Sequence, residues 1–468
     1  MNGLLDRLRT ATPAAILYAL AASALILSQH AMVALTFSAI GSRLAIDDFF
    51  WLFPIRQLAT LPNISPLAAV GGVAYCLAIS AALALLSLRR ADRLGRGGGL
   101  ALATMVPTLQ VLAVLGLALL WPRRADATPE NAGDPATPYQ LAIGIFAGTA
   151  LIVVAVAVSA LTMGAYGWGL FVATPFLVGL ITGFLVNRGR VRSAAETFGA
   201  VATAGVLGTI ALLMLALEGL MCVILILPLA VGLAWIGGMI GRAAAKQLID
   251  PREPFYSIAL LPLIFVLDAA IPPEIPIITR TSITIAAPPE AVWASLTADR
   301  TVAAAPGIVG LAGLAYPVGS RIIGEGEGAH RVGRISTGTA DERVTIWEPD
   351  RILAFRVVRQ PPAMEEMSPY RRLHTPHLIG YFDTGETRFD LVPLANGGTR
   401  LTARADHILR IDPGLYWAPI ARWAIRQNVT RVLADVQRDA QQRAKVPRQE
   451  ARLAAHSPHE RSIAQLAR

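Results

Sequence analysis

Residues 283 to 296 read ITIAAPPEAVWASL, and they interrupt a chain that until then is almost continuous apolar helix. Ile283 and Ile285 flank Thr284 with the period of two that a half-buried strand requires. Pro288, Pro289 and Glu290 then open a segment in which Val292, Trp293 and Leu296 fall at helical spacing. Proline is tolerated at a helix entry because its missing N–H would have no partner there. The stretch therefore predicts a strand and then a helix, at the point where the pattern of membrane spans stops.

Upstream of it the chain is built for lipid. A mean hydropathy of +0.52 and 54% hydrophobic residues exceed what an ordinary soluble protein carries. Windows without Asp, Glu, Lys or Arg run from Ala11 to Ser42, Gln57 to Leu88, Gly97 to Pro122, Tyr139 to Asn187, Thr197 to Leu217 and Gly219 to Gly241. Each has room for a span of roughly 20 residues. The fourth window is too long for one crossing of a roughly 30 Å hydrocarbon layer, and GAYGWG (164–169) is its expected turn. This reading gives seven spans, with Phe255 to Ile271 as a shorter eighth candidate that Pro262 and Asp268 leave as either a short span or an interfacial segment. Ala11 to Ser42 is too long for the apolar core of a cleavable signal peptide. Arg89, Arg90, Arg93 and Arg96 favour a cytoplasmic loop after the second span, and Arg188, Arg190 and Arg192 favour the same side after the fifth. Three intervening spans cannot satisfy both. The acidic loop at 123–138 supports the first choice, and eight spans then leave both termini in the cytoplasm of a multi-pass inner-membrane protein.

Downstream the grammar is that of a soluble domain. The 12 acidic and 16 basic residues before position 274 become 20 and 25 from there to the end. TSITIA (281–286), ERVTIW (342–347), RILAFRVV (351–358), ETRFDLV (386–392) and TRLTARA (399–405) alternate as strands of one antiparallel sheet do. LANGGTR (394–400) and WEPDR (347–351) supply turns. A second helix is expected from about Ala418 to Ala440, with Ile425, Val429, Val432 and Val436 as its apolar stripe.

A strand, a helix, a run of antiparallel strands and a long terminal helix resemble the helix-grip order of the START-like SRPBCC superfamily, which includes polyketide cyclase/dehydrase-type domains. The residues that carry the resemblance are ITIAAPPEAVWASL, WEPDRILAFRV (347–357) and GGTRLT (397–402). It implies a sheet curled around the long helix and an apolar pocket between them. The fold class is thus a polytopic α-helical membrane domain plus an α+β helix-grip domain. The expected divisions are a membrane part at 1–125 with about three spans, a loop at 126–138, and a membrane part at 139–273 with about five. A START-like domain at 274–445 and a disordered tail at 446–468 complete them. LRRADRLGRGGG (88–99) resembles a second signature, the Arg-Arg-Leu-His-Asp-x-Gly-x-Ser-Gly of a small bacterial inner-membrane domain of unknown function. Arg89, Arg90, Gly95 and Gly98 match, whereas Asp92, Arg93 and Gly97 replace its His, Asp and Ser.

If the family shape is kept, Phe355, Phe389, Leu401 and His407 face the pocket by alternation and are the ligand-binding candidates. Glu325 and Glu327 in EGE would lie on one strand face about 7 Å apart, the spacing of an acid/base pair. Tyr370, Arg371 and Arg372 are candidates for a pocket entrance. His374 and His377 flank Pro376 and have no third ligand at fixed spacing, so no metal site and no cofactor are expected. Cys76 and Cys222 sit apart in apolar stretches, and no CxxC pair occurs. His30 and Glu218 are ionisable groups within or beside the spans. The pI near 10.0 comes with scattered arginines and no basic run interleaved with aromatics, which argues against nucleic acid. The expected partners are an apolar small molecule (lipid, quinone or polyketide-like) and the lipid bilayer, and nothing fixes an oligomeric state. No nucleophile, base and orienting group can be read together, so the sequence leaves a cyclase/dehydratase-type enzyme, or a transporter or assembly protein with a regulatory soluble domain, as alternatives to a binding module.

Overall fold

The computed structural model describes residues 2–39, 66–94, 98–105, 109–120, 136–164, 166–215, 217–247, 261–365 and 380–456. The chain divides into a helical unit up to Pro272 and a sheet-and-helix unit from Pro273.

The helical unit contains α1 (Asn2–Ala39), α2 (Pro66–Leu94), the short α3 (Gly98–Ala103) and α4 (Gln110–Leu119), and α5 (Ala136–Val156) with its π-helical continuation Ala157–Met163. A π-helical turn, Gly169–Ala173, leads into α6 (Thr174–Asn187), followed by α7 (Ala194–Met214), α8 (Leu220–Gln247) and α9 (Leu261–Ala270). Six of these stretches are long and apolar enough to cross a membrane: Pro13–Ser38, Ala74–Leu94, Gln140–Ser159, Gly169–Asn187, Ala194–Met214 and Leu220–Lys246. Gly164, in the left-handed region at φ 57°, ends the π-helical segment where the sequence predicts a turn.

Two expectations change. The window at 97–122 is not one spanning helix but the two short helices α3 and α4. Gln110 Nε2 donates to Ser80 Oγ in the middle of α2, and Arg90 Nε near the end of α2 donates to Leu117 O in the last turns of α4. The pair therefore dips beside α2 and returns to the level from which it started. Of the candidate at 255–271, the described part is the ten-residue α9. Glu218 lies in the turn between α7 and α8 and accepts a hydrogen bond from Tyr166 Oη at 3.2 Å. His30 Nδ1 lies 3.0 Å from the carbonyl of Ile26 within α1.

Parallel helices α6 and α8 touch through backbone. A Cβ on Gly179 would stand 1.9 Å from the carbonyl oxygen of Ala234, and one on Gly241 would stand 2.1 Å from that of Leu180. Glycine is the residue that permits such close approach.

In the second unit the order is β1 (Ile275–Ile285), α10 (Pro289–Thr297), β2 (Arg300–Thr301), α11 (Gly307–Leu311), β3 (Pro317–Ile323), β4 (His330–Ile335), β5 (Gly338–Glu348), β6 (Ile352–Arg359), β7 (Phe382–Pro393), β8 (Thr399–Leu409) and α12 (Gly414–His456). The sheet is antiparallel, with order β1-β8-β7-β6-β5-β4-β3-β2. β1 closes on β8 and the remaining strands form a meander, so the sheet curls as a half-barrel around α12. Ile285, Leu353, Phe389 and Leu401 on the sheet, Val292 and Leu296 on α10, and Leu433, Val436 and Ala440 on α12 make its main core.

Turn chemistry follows the sequence. Asp350 takes φ 62° in WEPDR, and Gly397 takes φ 76° while Gly398 N donates to Asn396 Oδ1 in LANGGTR. β2, β3 and β4, which sequence alternation did not reveal, join the five expected strands. α12 begins earlier than expected and runs through 446–456, where the sequence suggests a disordered tail; residues 457–468 lie outside the described residues.

Candidate functional site

One face of the sheet is apolar and turned toward α12. Along β1 the odd-numbered residues Ile277, Thr279 and Ile285 are buried while the even-numbered ones are exposed, and β8 repeats the pattern with Leu401, Ala403, Ala405, His407 and Leu409. Register carries this face across the sheet. Leu401 opposes Leu391, Ala403 opposes Phe389, Phe389 opposes Leu353, and Phe355 opposes Val344.

All four sequence candidates are buried on this face, but the structure does not gather them at one point. Phe355, Phe389 and Leu401 belong to the main core, with the two phenyl centroids 6.2 Å apart. His407 lies further along β8, opposite Ile277 and Thr384. It stacks on Phe382, 5.1 Å between ring centroids, beside a second cluster built from Ile277, Leu409, Ala418 and Ile425. Burial pulls its pKa down to about 4, against smaller upward influences of the backbone at Ile277, the Asp406 charge and the backbone at Ala405. At neutral pH the ring is uncharged, and its buried Nδ1 has no hydrogen-bond partner.

The same face also carries an ion pair. Arg331 on β4 and Glu342 on β5 are direct cross-strand partners, and Arg331 Nη1 donates to Glu342 Oε2. Their side chains are 14% and 7% exposed. The Arg331 guanidinium carbon stands 3.9 Å from the centroid of the Phe355 ring, a cation–π contact that ties the pair to the aromatic part of the face. Gly333 makes the space: a Cβ there would come within 2.8 Å of Glu342 Oε1. Burial holds the Glu342 carboxyl above the usual carboxylate range, and the charge and hydrogen bond of Arg331 pull the other way. Arg331 Nε, also buried, has no partner. The pair thus combines a guanidinium with an unspent N–H donor and a carboxyl that burial holds above its usual range, all beside a phenyl ring.

A polar seam holds α12 against the segment between α10 and β3. Asp435 accepts from Arg300 Nη1 at 2.7 Å and from Ala303 N at 3.2 Å. Arg431 Nη1 donates to Ala304 O at 2.7 Å, and Asn428 Nδ2 to Ala315 O at 2.9 Å. Burial chiefly lowers the pKa of Arg300, and the charges of Asp435 and Asp439 oppose this.

Sequence reasoning missed Arg331 and Glu342. The signal was present for Glu342, because ERVTIW puts it in phase with Val344, a charge on an apolar face. Glu325 and Glu327 are not on a strand face: they lie in the turn after β3, where Gly324, Gly326 and Gly328 all take positive φ. Tyr370, Arg371, Arg372, His374 and His377 lie outside the described residues.

Residues 276–441 match the family model described as polyketide cyclase / dehydrase and lipid transport. No curated protein matches the chain. Among solved structures, the Zhui aromatase/cyclase from Streptomyces sp. R1128 is 16% identical, with 36% of this chain and 96% of that chain covered at a TM-score of 0.25. A truncated norcoclaurine synthase from Thalictrum flavum is 9% identical, with 35% and 92% covered at a TM-score of 0.23. By the family model, the C-terminal unit carries a START-like SRPBCC domain of polyketide cyclase/dehydrase type, behind a run of apolar, membrane-length helices.

Proposed function

We propose that the C-terminal domain binds an apolar small molecule with one polar end, a lipid, quinone or polyketide-like amphiphile, for transfer or sensing near the bilayer in which the helices sit. The observation that carries this reading is the Arg331–Glu342 pair on the apolar face turned to α12. A buried ion pair is a poor source of stability, since desolvation offsets most of the attraction, so its retention beside Phe355 favours a recognition role. The apolar body of the ligand packs on Phe355, Phe389 and Leu401, and its polar end meets Arg331. His407, neutral at pH 7, serves as a hydrogen-bond group further along the same face. The inner membrane of a bacterium is the setting that the resemblances favour.

Glu342 favours a second reading, a cyclase/dehydratase-type enzyme. A carboxyl held above its usual range beside a fixed cation is equipped to pass a proton to a carbonyl or hydroxyl leaving group.

The test uses the purified full chain. Apolar molecules that co-purify are identified by mass spectrometry, and the stripped protein is titrated with fluorescent lipids, quinones and aromatic polyketides. Each Å² of ligand removed from water contributes roughly 25 cal/mol, enough for micromolar binding after association costs. Phe389→Arg is expected to abolish binding, and Arg388→Ala on the outer face to leave it intact. Binding that survives Phe389→Arg, or that is lost equally in two folded variants, would refute the face assignment. Absence of binding to every class removes the reading itself.

A further inference from the structure

We propose that the basic end of the helical unit lies at the cytoplasmic leaflet, and that the C-terminal domain, whose chain departs from the opposite end, works outside the cytoplasm. This rests on reading the six long apolar helices as spans, and the return of the chain from the end of α8 to the end of α9 as a seventh crossing, and is independent of what the domain binds.

The path of the chain fixes which residues share an end. Gly144 meets Val186 and Gly148 meets Val178, so α5 and α6 are antiparallel; Thr149 and Ile152 on α5 meet Ala204 and Gly208 on α7, so those two are parallel. Phe176 and Leu180 on α6 meet Gly237 and Gly241 on α8, again parallel. The start of α5, the α6–α7 turn and the end of α8 therefore lie together, and Arg242 Nε donating to Arg192 O at 2.8 Å joins the last two directly. The last turns of α2 belong there too: Leu88, Ala91 and Leu94 share a cluster with Ala142 near the start of α5, while α2 also touches the π-helical segment at the far end of α5. Tyr18 on α1 meets Ser87 near the same end, 2.8 Å apart.

This end collects the cations of the unit. Arg89, Arg90 and Arg93 close α2, and Arg188, Arg190 and Arg192 line the α6–α7 turn. Arg242 and Lys246 close α8, Arg7 and Arg9 lie in the first turns of α1, and Asp6, Asp92 and Glu196 are the acids among the described residues at this end. At the other end, the turns at 164–168 and 215–219 and the end of α9 carry Tyr166, Glu218 and Asp268, with no lysine or arginine among the described residues. A one-sided excess of Arg and Lys marks the cytoplasmic face, and anionic headgroups there attract it. The conflict between the two arginine clusters disappears, because α3 and α4 return to the level from which they start instead of crossing. Residues 121–135, outside the described residues, connect α4 and α5, whose facing ends both lie at the basic end, and acidic residues weigh little in the rule.

α9 decides where the domain emerges. Asp268 Oδ2 accepts from Gly169 N at 2.7 Å, and Phe265 packs beside Gly169, so α9 ends next to the 164–168 turn, away from the arginines. The strand that opens the domain begins at Ile275. The sequence count of eight crossings, which leaves the domain in the cytoplasm, is replaced by an odd number.

The experiment labels single cysteines in the full chain, in a Cys76→Ser, Cys222→Ser background, with a maleimide too polar to cross a bilayer. Glu325→Cys reports on the domain and Arg190→Cys on the basic end. In intact spheroplasts Glu325→Cys is expected to label at least ten-fold more than Arg190→Cys, and permeabilisation to equalise them. The reverse ratio, protection of both, or labelling of both before permeabilisation overturns the proposal. Protease added outside spheroplasts that hold the unaltered chain is expected to digest the domain; its survival until permeabilisation overturns the proposal without reliance on any variant.

Discussion

Arg331 with Glu342 and Arg388 with Asp390 are the same two chemical groups on opposite faces of one sheet. The outer pair joins Nε to Oδ1 at 2.8 Å with both side chains about one-third exposed, at 35% and 32%. Water screens it, and such pairs contribute a median of about 0–1 kcal/mol. The inner pair has lost most of its water and exchanged it for each other and a phenyl ring. A bond between arginine and carboxylate therefore says little about stability until its surroundings are known. On the inner face, what matters is what each group becomes when the other is taken away.

The largest expected effect follows from that. Arg331→Ala strands Glu342 among apolar side chains and is expected to cost about 3–5 kcal/mol, less at low pH where the carboxyl takes up a proton. Replacing both groups, Arg331→Met with Glu342→Leu, is expected to be neutral or stabilising by about 1–4 kcal/mol. Urea unfolding of a fragment spanning residues 274–445 reads both, and that fragment is itself expected to unfold cooperatively in detergent-free buffer. If the double variant is as unstable as Arg331→Ala, the contrast between the faces fails.

His407 gives the next effect. Its folded pKa of about 4 lies below the ordinary 6.5, so the folded state resists protonation. Its contribution is fully present above about pH 6.5 and is lost as pH falls toward 4, by roughly 3 kcal/mol at most. Glu342 is shifted the other way, so its contribution grows as pH falls. His407→Phe is expected to flatten the stability profile between pH 6.5 and 4, measured by thermal melts at stepped pH. An unchanged slope would place the histidine in contact with water. The smallest effect belongs to the outer face: Arg388→Ala and Arg404→Ala are each expected to change stability by no more than about 1 kcal/mol. A loss near that of Arg331→Ala would mean that the two faces do not differ.

How much could be read beforehand depended on whether a face was apolar. Alternation placed β1, β5, β6, β7 and β8 and put Phe355, Phe389, Leu401 and His407 on the inner side, because the hydrophobic effect writes a period of two into a half-buried strand. β4 escaped because HRVGRI carries arginine and glycine inward, and β3 because PVGSRII sets Ser320 beside Ile322 on that face, so neither strand reads as alternating. Hydrophobicity alone also cannot distinguish a window that crosses from one that turns back. Residues 97–122 satisfy the composition of a span, and only the bonds from Gln110 to Ser80 and from Arg90 to Leu117 reveal the return. The partnership of Arg331 and Glu342 joins two strands by register, which no local pattern encodes.

The backbone contact between α6 and α8 has a mechanical consequence. Where side chains separate two helices, rotamer changes let them slide or roll. Here carbonyl oxygens lie where Cβ atoms would be, and there is no layer of side chains to rearrange. The two helices behave as one thick rod. In a bilayer a change of thickness would tilt them together, and the adjustment would fall on helices that meet through ordinary side chains, such as α1 against α2.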